Sequence, residues 1–356
     1  MISDRLLSVV RCADCRSALT RTSADGAAVT LTCTGCGRLY TNPGDYLDLR
    51  PLQMYAEQTK YLDEALHVDA RHERVSPPLL GSRIRNDMLR SFLAPKRGEL
   101  VADLGCGSGR AVLWNRDLGA DVIGIDIAPF FSRDARQQID LMLADLRQLP
   151  FADDTFDKAW SLDVLEHLSP EALDGMLSEA ARVLKPGGGL FVYTHVRKNA
   201  PVAAGLKWIN KLARQLERWD LIDLRQERLR KSDHLNPLQD VPHLERVVDA
   251  AGFRIERIRY YTPIVGGFVE NIMMRMAERA MSRRAAARAA HKGAAPDEAD
   301  AAAVREARTA AKERIAASGP TYAALRGLSF AMKLDLLLFG RIRSGPFFAL
   351  LIKRSR

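Results

Sequence analysis

The sequence predicts a doubly wound α/β fold, in which helices cover both faces of a mostly parallel sheet. From Glu99 onward, short apolar runs of buried-strand type alternate with helical segments. A glycine-rich turn, Val101–Arg110, follows the first run and opens a helix. Asp126 and Asp145 end the next two runs. Since strand–helix alternation needs right-handed crossovers, these strand ends are expected to meet at one edge of a parallel sheet.

Five apolar runs predict the strands of the main domain. They are Leu100–Leu104, Asp121–Ile125, Ile139–Ala144, Lys158–Leu162 and Gly189–Thr194. A helix over Ser82–Leu93 is expected to lead into the domain. Pro170–Leu184 is the clearest helix between strands, because Pro186 and the glycines after it form a strong stop signal.

The C-terminal part continues the alternation and then interrupts it. Ala200–Lys231 is basic and helical, a helix over Val241–Ala251 is capped by Gly252, and strands are expected at Arg254–Thr262 and Pro346–Lys353. Between these strands lies a long excursion. Its middle, Arg283–Gly319, is rich in Ala, Arg and Glu and is either helical or partly disordered. Its flanks, Ile264–Met281 and Leu325–Phe339, are apolar at helical spacing.

The chain therefore divides into four segments. Residues 1–50 form a compact unit that carries four cysteines, and residues 51–81 form a helical linker broken by two prolines. The main domain takes residues 82–263 together with 346–356. Residues 264–345, the insertion, are expected to act as a lid or as a contact to a membrane or another partner.

Composition limits the class of protein. The apolar fraction of 47% and the charged fraction of 27% are those of an ordinary globular protein. The sequence contains no uninterrupted run of 18 apolar residues, so a transmembrane segment is not expected. The first residues lack the cleavage pattern of a signal peptide, and we expect a cytoplasmic protein with an optional peripheral contact to a membrane.

Two cysteine pairs predict a metal site in residues 1–50, which we call the ribbon. Cys12-x2-Cys15 and Cys33-x2-Cys36 are separated by 17 residues. This spacing is typical of zinc ribbons, in which four thiolates hold Zn²⁺ tetrahedrally. A unit of this size has little core, so the metal would supply most of its folding energy. Such a closed site has no open ligand position, and we assign it a structural role. The alternative is a ribbon whose cysteine pairs persist without metal.

The glycine-rich turn predicts a ligand site. Gly105, Gly107 and Gly109 let the backbone turn tightly and let a ligand lie against it. Asp126 lies 17 residues after Gly109, where a carboxylate can accept both hydroxyls of a ribose. Asp145, at the end of the third strand, can face an adenine amino group. All lie at the expected ligand edge of an open α/β sheet.

Taken in order, these motifs resemble the class I S-adenosylmethionine (SAM)-dependent methyltransferases of the small-molecule group. The resemblance covers about residues 82–262 and 346–354, and implies a Rossmann-like sheet of seven strands whose last strand is antiparallel. It rests on the LGCGSG turn with Asp126, on ADLRQLPFADDTFD (Ala144–Asp157), on AWSLDVLEHL (Ala159–Leu168) and on ARVLKPGGGLFVYTHV (Ala181–Val196). The segment between Asp126 and Asp145 is short, so the second helix of the fold is expected to be reduced.

The resemblance also implies roles for single residues. The methionine part of SAM would lie near Asp103 and the glycines, the ribose near Asp126, and the adenine near Asp145. For Cys106 we expect packing in the turn and no reactivity. The full set expected at the cofactor is Asp103, Gly105, Cys106, Gly107, Gly109, Asp126, Ile127, Asp145, Leu146 and Ser161.

Methyl transfer is an in-line displacement at a sulfonium carbon, and positioning matters more in it than a strong base. A hydroxyl or carbon nucleophile still needs removal of a proton. His234 and His195 are the candidate bases, and His167 is a further candidate, although each also has a structural interpretation. Asp163 is expected close to the transferred methyl group.

Three hypotheses for the acceptor follow. In the first, the enzyme methylates an oxygen or carbon of a small-molecule or lipid-type acceptor, with the apolar flanks of the insertion covering it or lying on a membrane. In the second, the acceptor is rRNA or tRNA, which the ribbon and the basic C-terminal part bind. Residues 197–356 hold 31 Lys and Arg against 17 Asp and Glu, a balance of +14, whereas residues 1–196 balance at −5. The ribbon sequence also resembles the small zinc-ribbon partners of tRNA and protein methyltransferases. In the third, the chain is a non-catalytic SAM-binding scaffold.

Overall fold

A computed structural model gives the fold of the described residues. These are 2–23, 28–42, 44–53, 75–197, 204–224, 228, 234–290, 319–343 and 345–355. They form an eight-stranded sheet and, in the ribbon, a small three-stranded sheet. Most of the predicted linker and of the Ala-rich middle of the insertion lies outside the described residues. Among the residues described, no helix is both long and apolar enough to cross a bilayer.

The strands agree with the predicted positions to within a few residues in the main domain. They are β1 (Leu19–Ser23), β2 (Val29–Cys33), β3 (Leu39–Asn42), β4 (Leu47–Asp48), β5 (Leu100–Leu104), β6 (Asp121–Asp126), β7 (Asp140–Leu143), β8 (Phe156–Leu162), β9 (Leu184–His195), β10 (Phe253–Tyr260) and β11 (Pro346–Lys353).

The helices fill the connections. They are α1 (Asp4–Val9), α2 (Leu80–Leu93), α3 (Arg110–Trp114), α4 (Arg133–Gln138), α5 (Pro170–Val183), α6 (Ala204–Arg218), α7 (Val241–Ala250), α8 (Ile264–Phe268), α9 (Met274–Ala290), α10 (Pro320–Met332) and α11 (Leu334–Phe339), with a π-helix at Val269–Met273. The helix α4 has six residues, as the short segment between β6 and β7 predicts. Side-chain caps fix several helix starts: the Ser169 hydroxyl accepts the N–H of Ala172 at the start of α5.

The strand order of the large sheet is β10-β11-β9-β8-β5-β6-β7-β4. The strand β11 is antiparallel to both of its neighbours, which confirms the predicted fold class. The sheet gains an eighth strand that the sequence does not predict: β4 of the ribbon pairs in parallel with β7, placing Leu47 opposite Met142. The ribbon therefore covers an edge of the sheet that would otherwise be unpaired.

Alternate residues of the strands enter two cores, one on each face. Ala102 belongs to the core under α5 and α7, and Val101 to the core under α2. Ribbon residues Leu31 and Leu47 are part of the first core. Apolar side chains of the ribbon are therefore buried in the same core as those of the sheet.

The helices of the insertion pack behind α2. The hydroxyl of Ser329 on α10 accepts the N–H of Leu80 at 2.7 Å, and the carboxylate of Glu270 accepts the N–H of Gly81 at 3.0 Å. Asp335 is fully buried and accepts the N–H groups of Val265 and Gly266. The insertion therefore supports α2 from outside.

Candidate functional site

A cavity of about 840 Å³ opens at the carboxyl ends of β5, β6, β7 and β8, which is the ligand edge that the sequence predicts. Its volume lies at the upper end of the range of about 300–1,000 Å³ found for small-molecule sites. Most of the predicted cofactor residues line it, namely Asp103, Gly105, Cys106, Gly107, Asp126, Ile127, Asp145 and Leu146. No described residue of the insertion does, so the expected lid is not seen there.

The glycine-rich turn forms the floor of the cavity because its backbone takes conformations that side chains disfavour. Gly105 has φ of 83° and Gly107 has φ of 52°. A Cβ atom on Gly105 would lie 2.3 Å from a methyl carbon of Val164. On Gly107 it would meet nothing within 4 Å, because this glycine faces open space. A ligand can therefore approach the backbone at Gly107 closely.

Asp126 is fixed on the cavity wall by the turn itself. One carboxylate oxygen accepts the N–H of Gly107 at 2.7 Å, and the other accepts the N–H of Ala128 at 3.1 Å. Burial raises the pKa of Asp126 to about 6. The carboxylate is thus oriented by backbone donors and still has lone pairs for hydroxyl groups of a ligand.

Asp103 carries an unsatisfied group. Its side chain is buried, and within the described part of the chain one carboxyl oxygen, Oδ2, meets no donor in good hydrogen-bond geometry. The indole N–H of Trp160 lies close enough to lower the pKa of Asp103, although it too lacks a well-aligned partner among the described residues. Burial raises the pKa of Asp103 to about 8. A buried acceptor without a partner is costly, and a ligand ammonium or hydroxyl group would satisfy it.

Asp145 is already paired. Both of its oxygens accept hydrogen bonds from the guanidinium of Arg147, at 2.9 and 2.8 Å. This bidentate pair holds the carboxylate on the cavity wall beside the apolar side chains of Ile127 and Leu146. The arrangement suits a planar ring that packs between apolar side chains and donates to one carboxylate.

Two predicted cofactor residues do not line the cavity. The hydroxyl of Ser161 donates to the backbone carbonyl of Leu104 at 2.8 Å, which ties β8 to β5. A Cβ atom on Gly109 would lie 2.7 Å from that of Ala135, so Gly109 permits the close packing of α3 on α4. Ser161 and Gly109 therefore contribute to the packing of the sheet and its helices. Cys106 lines the cavity in the turn, and burial raises the pKa of its thiol.

The other end of the cavity holds an ion pair that the sequence reveals only in part. Asp163 lies in the turn after β8 with φ of 57°, and its carboxylate is 3.3 Å from the guanidinium of Arg85. Both residues line the cavity. Arg85 was not predicted, because α2 was recognised from its apolar spacing alone.

The three candidate histidines converge at this end. The ring of His234 lies 4.6 Å from that of His167 and 5.6 Å from that of His195, measured between centroids. Of the three, His167 lines the cavity, and the other two lie behind it. The roles expected of His234 and His195 as bases stay predictions, and His167 is the one of the three imidazoles that lies in the cavity wall.

Glu166 is a further buried acid that the sequence did not single out. Its carboxylate accepts the hydroxyl of Thr194 at 2.9 Å, and burial raises the pKa of Glu166 to about 8. Its backbone carbonyl accepts the N–H of Asn236 at 2.9 Å, which holds the His234 segment against the turn that carries His167. Its position inside the LEHL motif was the available signal.

The four cysteines of the ribbon form a second candidate site. The sulfur atoms of Cys12, Cys15, Cys33 and Cys36 all lie within 4.8 Å of one another. The Cys12–Cys36 and Cys15–Cys33 sulfur pairs are 3.7 and 3.3 Å apart. Zinc–sulfur bonds of about 2.3 Å in a tetrahedron place sulfur atoms about 3.8 Å apart, so the donor set fits Zn²⁺.

Comparison with known proteins agrees with the geometry. Residues 102–192 match a family model described as a methyltransferase domain. Sterol 4-C-methyltransferase strm-1 of Caenorhabditis elegans is 35% identical over 171 residues, covering 44% of this chain and 50% of that protein. Demethylmenaquinone methyltransferase of Tropheryma whipplei (strain Twist) is 39% identical over 115 residues, covering 30% of this chain and 47% of that protein.

A relative whose name indicates a different acceptor also matches. The probable tRNA methyltransferase 9B of Mus musculus is 34% identical over 136 residues, covering 36% of this chain and 30% of that protein. The chain spans about half or less of the length of these relatives. Residues 102–192 are thus similar to the methyltransferase domain family.

Proposed function

We propose that this chain transfers a methyl group from SAM to an oxygen or carbon of a small-molecule or lipid-type acceptor. The observation that carries the proposal is the two-ended cavity. One end presents the buried carboxyls of Asp103 and Asp126 beside an open glycine turn. The other end presents an imidazole, His167, and the Arg85–Asp163 ion pair.

The first end fits SAM. The unpartnered oxygen of Asp103 would accept the ammonium of the methionine part, and Asp126 would accept the ribose hydroxyls. Ile127 and Leu146 would contact the faces of the adenine, with Asp145 at its edge. When bound, SAM supplies an electrophilic methyl group.

The second end removes the proton from the acceptor. His167 lies in the cavity wall and would accept a proton from a hydroxyl or an activated carbon as the methyl group is transferred. His234, in edge-to-face contact with His167, orients its ring, and His195 supports His234 from β9. Asp163 would position the acceptor, and Arg85 holds its carboxylate in place.

An apolar acceptor suits the lining of the cavity. Pro77, Leu79, Phe130, Leu168 and Leu235 all contribute to its wall. Burial of an apolar acceptor against such side chains is favourable. The sterol and demethylmenaquinone methyltransferases among the relatives act, by their names, on acceptors of this chemical class.

An RNA acceptor is the second candidate, and a specific observation favours it. The tRNA methyltransferase 9B relative is similar over a comparable segment, and the cysteine cluster lies on the same chain. The flipped base of an RNA would have to enter the same cavity. We further propose that the cysteine cluster holds a structural Zn²⁺.

The test is calorimetry with SAM on the zinc-loaded wild type, on Asp126→Ala and on Asp174→Ala, a control at an exposed carboxylate of α5. Loss of hydrogen bonds to a charged acceptor costs about 3 kcal/mol, so SAM binding to Asp126→Ala should weaken about 100-fold. Labelled SAM with lipid, quinone and RNA fractions then identifies the acceptor. A folded wild type that binds no SAM contradicts the proposal, and SAM binding without turnover on any fraction favours a scaffold.

A further inference from the structure

The helices α10 and α11 present an apolar stripe to solvent. The residues Phe330, Leu334, Leu337, Leu338 and Ile342 are all exposed; successive members lie three or four residues apart, except for the adjacent pair Leu337 and Leu338. Phe330, Leu337 and Leu338 keep 73%, 72% and 61% of their surface accessible. The opposite side of the same helices, with Met332 and Asp335, is buried. A stripe of this kind marks an interaction surface.

We propose that this apolar stripe docks on an anionic lipid bilayer, with α10 and α11 lying in the plane of the interface. The positive charge around the stripe favours an anionic bilayer over other partners. The exposed basic residues near it are Arg326, Arg341 and Arg343. The acid of this segment, Asp335, is buried and satisfied by backbone N–H groups. Apolar residues flanked by Lys and Arg are typical of helices that lie in the headgroup region.

The helix α6 carries a second exposed basic surface. Its exposed side carries Trp208, which is 67% exposed, between Lys207 and Lys211. Its other side packs on α8, where a Cβ atom on Gly205 would lie 3.0 Å from the side chain of Ile264. Tryptophan and lysine on one helical face are favoured where an apolar layer meets charged headgroups.

The same observations disfavour other occupants. A second copy of this chain would bring its own arginines against Arg326, Arg341 and Arg343. An RNA would need aromatic side chains for stacking, whereas the stripe has four aliphatic residues and one aromatic residue.

Docking would bring the bilayer close to the cavity wall. On α10, Ser329 precedes Phe330 and accepts the N–H of Leu80 at the first turn of α2. Leu79 and Ser82, on either side of that turn, line the cavity. A lipid-type acceptor would thus leave the bilayer near the wall of the site that binds it, and this consequence rests on the proposed function.

The experiment is flotation of the full, zinc-loaded chain with vesicles of phosphatidylcholine, with and without phosphatidylglycerol, in the absence of SAM. We expect binding to the anionic vesicles that decreases with salt. The double variant Leu337→Glu/Leu338→Glu should lose at least about tenfold in partitioning, since two exposed leucines are replaced by charges that the surface repels. Leu39→Glu, at an exposed leucine of the ribbon, is the matched control and should bind as the wild type does.

The results of flotation and sedimentation distinguish a bilayer from a second copy of the chain at this stripe. Wild type that does not float with anionic vesicles overturns the proposal, as does a Leu337→Glu/Leu338→Glu variant that floats equally well. A concentration-dependent dimer in sedimentation that this variant abolishes overturns it in favour of a second copy. SAM calorimetry on the same variant should give the wild-type affinity, so failure of membrane docking is distinguishable from failure of the methyltransferase proposal.

Discussion

The two ends of the cavity are supported by different additions to the same sheet. The cofactor end, with Asp126 and Asp145, lies beside the ribbon, whereas the acceptor end, with Arg85 and Asp163, lies beside α2 and the insertion. The ribbon buries Leu31 and Leu47 in the core of the sheet, and the insertion keeps an apolar stripe toward solvent. The ribbon stabilises the cofactor end of the cavity, whereas the insertion supports α2 and also exposes the apolar stripe.

Several hydrogen bonds join the ribbon to the segment that follows Asp145. The N–H of Arg11 donates to the carbonyl of Pro150 at 2.8 Å, and the side chain of Gln148 donates to the carbonyl of Ala13. Glu179 accepts both Arg16 at 3.1 Å and the N–H of Leu149 at 2.8 Å. These hydrogen bonds therefore connect the first cysteine pair to the segment that follows Asp145 in the cavity wall.

The strongest test of this comparison removes a metal ligand. Cys15→Ser deletes an exposed sulfur without touching the core, and it should abolish stoichiometric zinc. Structural zinc contributes about 10 kcal/mol or more in isolated ribbons, so the loss of thermal stability should be the largest of any variant here. SAM binding in calorimetry should weaken because Gln148–Pro150 loses its support.

Wild type stripped by a chelator and then resupplied with zinc is the control, and it should lose and regain SAM affinity. Vesicle flotation should be unchanged in Cys15→Ser, since the apolar stripe lies on the other addition. Wild-type SAM affinity in a zinc-free sample would show that the ribbon does not support the cofactor end.

The acceptor end is tested by its histidines. Removal of a positioned base costs about 10²–10⁴ in rate, so His167→Ala should lower kcat by that factor and leave SAM affinity unchanged. His234→Ala should lower kcat less, because it removes the ring that packs against His167 and leaves the base itself in place. His243→Ala, on α7, is the control, since that imidazole accepts the N–H of Gln239 away from the cavity. Unchanged kcat in His167→Ala would remove the base from the mechanism.

The smallest expected effect is the pH dependence that Asp126 gives to folding stability and to SAM affinity. The pKa of Asp126 is raised from 3.8 to about 6 by burial, so the folded chain binds this proton more tightly than the unfolded chain. The contribution of this group to the free energy of unfolding therefore decreases as pH rises from about 4 to 6. The affinity for SAM should show the opposite dependence on pH: it should decrease as the pH falls below 6, by at most about tenfold per pH unit. Asp126→Asn should abolish this step, and a step that persists in that variant would assign it to another group.

The sequence predicted the cofactor end better than the acceptor end for a physical reason. Gly107 and Asp126 belong to short motifs at consecutive strand ends, and local backbone requirements place them. Arg85 meets Asp163 only through the packing of α2, which local sequence does not encode. Ser161 and Gly109 lie in the same motifs as true lining residues, but one ties two strands together and the other admits a neighbouring helix.

Some contacts between the predicted segments could not be predicted, because they depend on residues distant in sequence. The strand β4 has two residues, too few for any periodicity, and it forms because β7 offers an unpaired edge. The shared core of ribbon and sheet likewise depends on residues distant in sequence, such as Leu47 and Phe151.

The pairing of β4 with β7 has a consequence for the fate of the protein in solution. An uncovered β7 would present free backbone N–H and C=O groups along the apolar residues Leu141, Met142 and Leu143, which is a template for strand addition by another chain. The Ser3 backbone and hydroxyl groups, which donate to Asp140 at the start of β7, would be displaced together with the ribbon. Zinc supply would then govern how long the protein stays in solution, because a chain without the metal would expose this strand edge to other chains.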